Sequence, residues 1–229
     1  MPLSASQHQA CYEKWLAWLD RIKRDVLYMH HQRQIWREMK DAIVSAAGGT
    51  PMVFLEHYTG LYVDAQAIGV RRLADAGAGR RAVSLAKLIN DVKNHREVMS
   101  LARYTELDLR HEQDEKERRV LMRLAEETYN QYWGNGSGEL DRGKLQADLH
   151  RLKELSRNID IFASQIIAHI QHDGVGPVPT FEDLDMAIDV VGEMFKRYTL
   201  LLTASTWDSL EPVVQVDWKA TFRQPLFLG

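Results

Sequence analysis

Cysteine is almost missing from this chain: Cys11 is the one thiol in 229 residues. No intrachain disulfide and no CxxC redox pair can form, and a reducing, cytoplasmic setting is the simplest expectation. Proline is sparse at six residues, and no proline-rich, serine-rich or low-complexity tract points to a disordered arm. No apolar run approaches the roughly 20 residues of a membrane-spanning helix. The opening MPLSASQHQACYEKW has no basic stretch followed by a signal-length apolar core, so no membrane attachment is expected. Charge of one sign is also lacking. The 29 Lys and Arg against 32 Asp and Glu leave a net charge of -3, which argues against coating nucleic acid by bulk charge but leaves room for a local basic patch.

What remains is a composition 45% hydrophobic and 27% charged, that of a globular chain whose length suffices to bury roughly 70% of its unfolded surface. Glycine gathers at AAGGTP, DAGAGR, YWGNGSGELDRG and DGVGPVP, turns that divide the chain without isolating a second core. From Gln7 to Ala46, Trp15, Leu19, Ile22, Val26, Met29, Trp36, Met39 and Ile43 recur mostly three or four apart. That spacing predicts one long helix, or two with a bend at the His30–His31 pair.

A second helix is expected to start behind Thr50 and Pro51 and run to Ala74, with Phe54, Leu61, Ala65, Ile68 and Leu73 inward and Tyr58 and Tyr62 as an aromatic edge. A shorter one begins near Ser84. Residues 98–131 read as helix with a break near Arg110. From Leu140, an apolar side formed by Leu145, Leu149, Leu152, Leu155, Ile159, Phe162, Ile166 and Ile170 predicts another. Thr180, followed by Glu182 and Asp183, marks the start of the last, with Leu184, Ile188, Val191, Phe195 and Leu202 inside. The predicted fold is all-α: a predominantly antiparallel helical bundle forming one domain over 1–229, with residues 204–229 as an extended or short β-forming strap.

Motifs exclude several chemistries. GGT, GAGR and GNGSG lack the lysine of a phosphate-binding P-loop. A di-metal carboxylate bundle needs repeated acid–histidine spacings, and DLRH at 108–111 is the single match. His169, His172 and Asp173 could share a helix edge, but a metal would need further ligands from elsewhere. No GxSxG elbow supports a serine hydrolase. No metal and no cofactor is expected.

The segments VRRLAD at 70–75, SLAKLI at 84–89, IIAHIQHD at 166–173 and a final helix ending RYTLLL at 197–202, behind a long N-terminal helix, resemble the AbiU2-like branch of the HEPN superfamily. The resemblance spans roughly residues 10–203. It implies a helical bundle that dimerises and, in active members, a metal-independent endoribonuclease of toxin or phage-defence systems, with RNA as partner. The usual HEPN motif sets arginine four to six residues before histidine. Arg157 and His169 are separated by eleven residues, about 18 Å along a straight helix and on different azimuths, so they cannot form it. Arg24 and His30 have five residues between them, a spacing that about two pairs would show by chance in this composition.

A helical wheel puts Gln165 and His169 on one edge of the apolar stripe and turns Arg157 elsewhere. The arginine partner implied by the resemblance must then come from another helix or subunit, and Arg71 and Arg72 are the candidates, with Asp75 able to orient one guanidinium. In this reading an arginine holds an RNA phosphate and His169 transfers a proton, with Gln165, His172 and Asp173 as support. The competing reading is a noncatalytic helical interaction or regulatory module with a protein partner, in which His169 finishes a packed helix and the arginines form salt bridges.

Overall fold

The computed structural model describes residues 4–45, 52–77, 82–110, 112–167, 178–213 and 215–219. Seven α-helices appear among them: α1 (Ala5–Ser45), α2 (Met52–Ala74), α3 (Leu85–Asn94), α4 (Leu101–Asp108), α5 (Glu115–Tyr132), α6 (Arg142–Phe162) and α7 (Phe181–Thr203). No strand is found among the described residues, only an isolated bridge between Gly134 and Leu140. The all-helical bundle is as expected. The β-forming tail is not: residues 205–213 and 215–219 follow an irregular path. That path is a strap. Trp207 packs on Phe195 with ring centroids 6.2 Å apart, Leu210 is buried, and Lys219 pairs with Glu38 at 3.0 Å.

α1 is one continuous helix that runs through the histidine pair. Its predicted apolar positions are all buried, and the gap in the stripe between Met29 and Trp36 is filled by buried His30 and Arg33. Two polar residues occupy core positions there, which is why the apolar pattern looks interrupted while the helical period is not. Tyr12 on α1 donates to Leu202 O at 2.6 Å and Trp15 Nε1 donates to an Asp91 carboxylate oxygen at 2.6 Å. These bonds satisfy the polar ends of two buried aromatics.

α2 is rotated relative to its predicted face. Tyr62, Gln66, Ala67, Val70, Leu73 and Ala74 are buried, whereas Phe54, Leu61 and Ile68 are 43%, 55% and 41% exposed, and Ala65 is exposed with them. Trp36 decides the rotation. Its ring stacks on Tyr62 at 4.6 Å and 5°, a contact contributing about 0.5–1.5 kcal/mol beyond area burial. The Gln66 amide then donates to Met29 O at 3.1 Å, so a polar side chain lies on the inward face and an apolar stripe is left outside.

α3 and α7 start where the sequence signals them, α4 and α5 are separated by the expected break near Arg110, and α6 begins two residues after Leu140. Ser84 accepts from Lys87 N to cap α3, Asp114 caps α5 after the break, and Thr180 with Asp183 forms a capping box on α7. The predicted interior of α7 is buried throughout. On α6, Leu145, Leu149, Leu152, Ile159 and Phe162 are buried, but Leu155 is partly exposed; the side chains of Ile166 and Ile170 lie outside the described residues. α6 packs along α7 and α2. Asp148 of α6 joins α7 through an ion pair with Arg197 and a 3.1 Å bond from Tyr198. Burial pushes the Asp148 carboxyl above its ordinary value against the opposing pull of Arg197.

Candidate functional site

α6 presents one polar ridge. His150, Lys153 and Arg157 sit three and then four positions apart, spacings that align side chains along one helix face. The apolar residues between them hold the opposite face in the core. α2 runs against α6, and its last turn carries Arg71 and Arg72. Between the two helices lies a groove of about 560 Å³, whose walls include Arg71, Asp75, His150, Lys153, Arg157 and Asp160.

Within this groove Arg71 Nε lies 3.5 Å from an Asp160 carboxylate oxygen. His150 Nδ1 faces Glu154 at 3.3 Å, one helical turn on, which leaves the Nε2 edge of its ring for other contacts. Lys153 and Arg157 have no side-chain ion-pair partner among the described residues. The walls therefore combine two cations with no ion-pair partner among the described residues, a loosely held guanidinium and an oriented imidazole, with carboxylates interspersed. This arrangement can hold an anionic group by forked guanidinium hydrogen bonds and place a titratable ring in the same cavity.

The sequence candidates divide at this point. Arg71 enters the groove. Arg72 does not line it, because the next position around the helix points its guanidinium to Asp25 on α1, with which it makes an ion pair. Asp75 lines the groove but orients neither arginine; its carboxylate accepts from Gly77 N at 2.7 Å and its carbonyl from Ser84 Oγ at 2.5 Å, building the turn into α3. Gln165 is half-buried in a π-helical turn, Ala163–Ile167, that follows α6. Such turns insert an extra residue into the helical ladder and often accompany functional sites. Ser164 in that turn lines the groove. His169, His172 and Asp173 lie outside the described residues.

No protein-family model, no curated protein and no solved structure matches the chain. The site has to be read from its own geometry. Sequence reasoning passed over His150, Lys153 and the groove-facing Arg157, although the signal was present in HRLKELSR, where basic residues keep a helical spacing. Arg157 was set aside because it could not reach His169 along one helix. Its neighbour across the groove is Arg71, reached through packing and not through sequence spacing.

Among the described residues no three of His, Cys, Asp or Glu gather in a way that could hold a metal ion. The single thiol, Cys11, is free and half-buried, with burial raising its pKa. No helix among the described residues is long and apolar enough to cross a membrane.

Proposed function

We propose that this chain is a HEPN-like, metal-independent endoribonuclease of a toxin or phage-defence system, and that the α2–α6 groove holds the RNA phosphate. The observation carrying the reading is the meeting of Arg71 from α2 with Arg157, Lys153 and His150 from α6 around one cavity. Two guanidinium groups from different helices can grip one phosphodiester and stabilise the charge that builds on it. An imidazole then removes the proton from the RNA 2'-hydroxyl, whose oxygen attacks the adjacent phosphorus. The 5'-oxygen leaves with a proton supplied by a second acid, and a 2',3'-cyclic phosphate remains. His150, oriented by Glu154, is one proton carrier; His169 is the second, on the strength of the sequence resemblance.

Incubation of the purified chain with varied RNAs in excess EDTA tests this. Cleavage to cyclic-phosphate ends is expected, with its rate lowered at least about 100-fold in His150→Ala or His169→Ala, the usual weight of a general acid or base. Cleavage that persists in the Arg71→Ala/Arg157→Ala double variant would sink the assignment.

The second reading, a noncatalytic interaction or regulatory module that dimerises or captures a protein partner, is favoured by a different observation. Phe54, Leu61 and Ile68 repeat every seven residues along the outer side of α2 and are exposed. A seven-residue apolar repeat is the pattern by which a helix presents a seam to another helix.

A further inference from the structure

Another cavity, about 260 Å³, opens where the end of α5, α7 and the strap meet, and shares no lining residue with the α2–α6 groove. Tyr132 of α5, Lys196, Arg197 and Leu200 of α7, and Trp207 of the strap line it. At this end of α5 the inward positions belong to Tyr129 and Trp133, both fully buried, while Tyr132 between them is 37% exposed. One aromatic ring is thus turned out of the core and onto a cavity wall.

Cations hold the rings. The Arg197 guanidinium lies 5.3 Å from the Tyr132 ring centroid and is anchored by ion pairs with Asp148 and, at 3.0 Å, with Glu193. The Lys23 ammonium lies 5.1 Å from the Trp207 ring centroid. Both rings are in place before any ligand arrives, and groups ordered in advance lose little freedom on binding. Glu193, which also lines the cavity, pairs with Arg151 of α6 at 2.5 Å. Arg151 follows His150, a wall of the groove, so neighbouring residues of α6 join the groove to the cavity.

We propose that this cavity takes one unpaired base of an RNA strand, stacked on Tyr132 and against Trp207, while the adjoining backbone crosses α6 to the groove. The inference rests on the RNA reading of the groove. Aromatic side chains beside cations are the means by which single strands are bound with little sequence choice, because every base has a π-face. Lys196 and Arg197 meet one carboxylate at the cavity wall, Glu193, and that carboxylate is already paired with two arginines. A base still paired in a duplex is not free to leave its stack and enter so small a cavity, so the substrate class is single-stranded RNA or an unpaired loop.

The test compares a fluorescently labelled oligoadenylate with an abasic RNA of the same length, by anisotropy titration of the full chain in EDTA. Native protein should bind the oligoadenylate at least about fivefold more tightly, the lower end of what stacking one base on an aromatic side chain supplies. Tyr132→Leu and Trp207→Leu should each remove most of that difference, leaving affinity for the abasic RNA and the logarithmic salt dependence, which counts phosphate contacts, unchanged. Equal affinity of native protein for the two RNAs, or a loss from Tyr132→Leu on both alike, overturns the base site; an Arg71→Ala effect on both RNAs would then leave the groove standing. Native protein that binds neither RNA removes the groove reading and this inference together. Adenosine monophosphate displacing the strand at equal concentration would mark a free-nucleotide site and likewise overturn the proposal. Should Trp207→Leu loosen the strap, the exposed Tyr132→Leu decides alone.

Discussion

Arg71 Nε lies 3.5 Å from a carboxylate oxygen of Asp160, across the groove between α2 and α6. Both side chains are about half exposed, and ion pairs in such positions contribute about 0.2–1 kcal/mol. The contact is weak enough for a phosphate to replace. Asp160→Asn is therefore expected to raise affinity for a short RNA about twofold to fivefold in a fluorescence-anisotropy titration, by freeing Arg71. Arg71→Ala should lower affinity and flatten the logarithmic salt dependence by roughly 0.7, the loss of one phosphate contact. Arg72→Ala, whose guanidinium is held by Asp25, should do neither. An equal effect from both arginines would remove the groove as the binding surface.

The buried imidazole of His30 makes stability depend on acidity. Its folded pKa of about 4 lies below the unfolded value of 6.5. Above pH 6.5 neither state is protonated and the full stability is present. As pH falls from 6.5 towards 4 the unfolded chain takes up the proton first, so stability is lost across that window. At about 1.36 kcal/mol per pKa unit the loss approaches roughly 3 kcal/mol. Urea unfolding at pH 7 and pH 4.5, in native protein and His30→Phe, checks this. The variant should lose less stability on acidification, and identical slopes would show that His30 is not the titrating group.

Much of the bundle was legible because helix starts and inward faces are local properties. Ser84, Thr180 and the apolar periods of α1 and α7 announce themselves within a few residues. α2 was misjudged because it has two apolar sides, and the choice between them depends on Trp36, which lies on another helix and stacks on Tyr62. No periodicity inside α2 contains that information. The site divides the same way. Arg71 was visible as a candidate, but its meeting with Arg157 is a product of α2–α6 packing. His30 and Arg33 fall in the gap of the α1 apolar stripe, and no local pattern shows that packing buries both in the core.

Gly192 provides a local test of that packing. In a helix interior, replacing glycine by alanine normally stabilises by about 1 kcal/mol. Here the new methyl would press on His30 Nε2 at 2.6 Å and on Leu210, and the ring cannot turn away without losing its bond to Arg33. Overpacking of this kind costs typically 1–3 kcal/mol. Gly192→Ala should therefore be destabilising by about 1–2 kcal/mol in chemical denaturation. A rise in melting temperature would mean that the strap and ring have room to yield.

The outer face of α2 separates folding from association. Phe54, Leu61 and Ile68 are exposed, so charged substitutions there remove little core contact, and surface changes of this kind usually stay within about 0.5 kcal/mol. Leu61→Lys with Ile68→Glu is expected to leave the melting temperature nearly unchanged. If the seam joins two copies, light scattering at micromolar concentration should report a dimer for the native chain and a monomer for the variant. Tyr62→Ala, by contrast, deletes a buried ring stacked on Trp36 and should cost about 3–5 kcal/mol. If the double charge variant unfolded like Tyr62→Ala, the stripe would belong to the core after all; if native and variant were both monomeric, self-association through α2 would be excluded and a different protein partner would be left as its occupant.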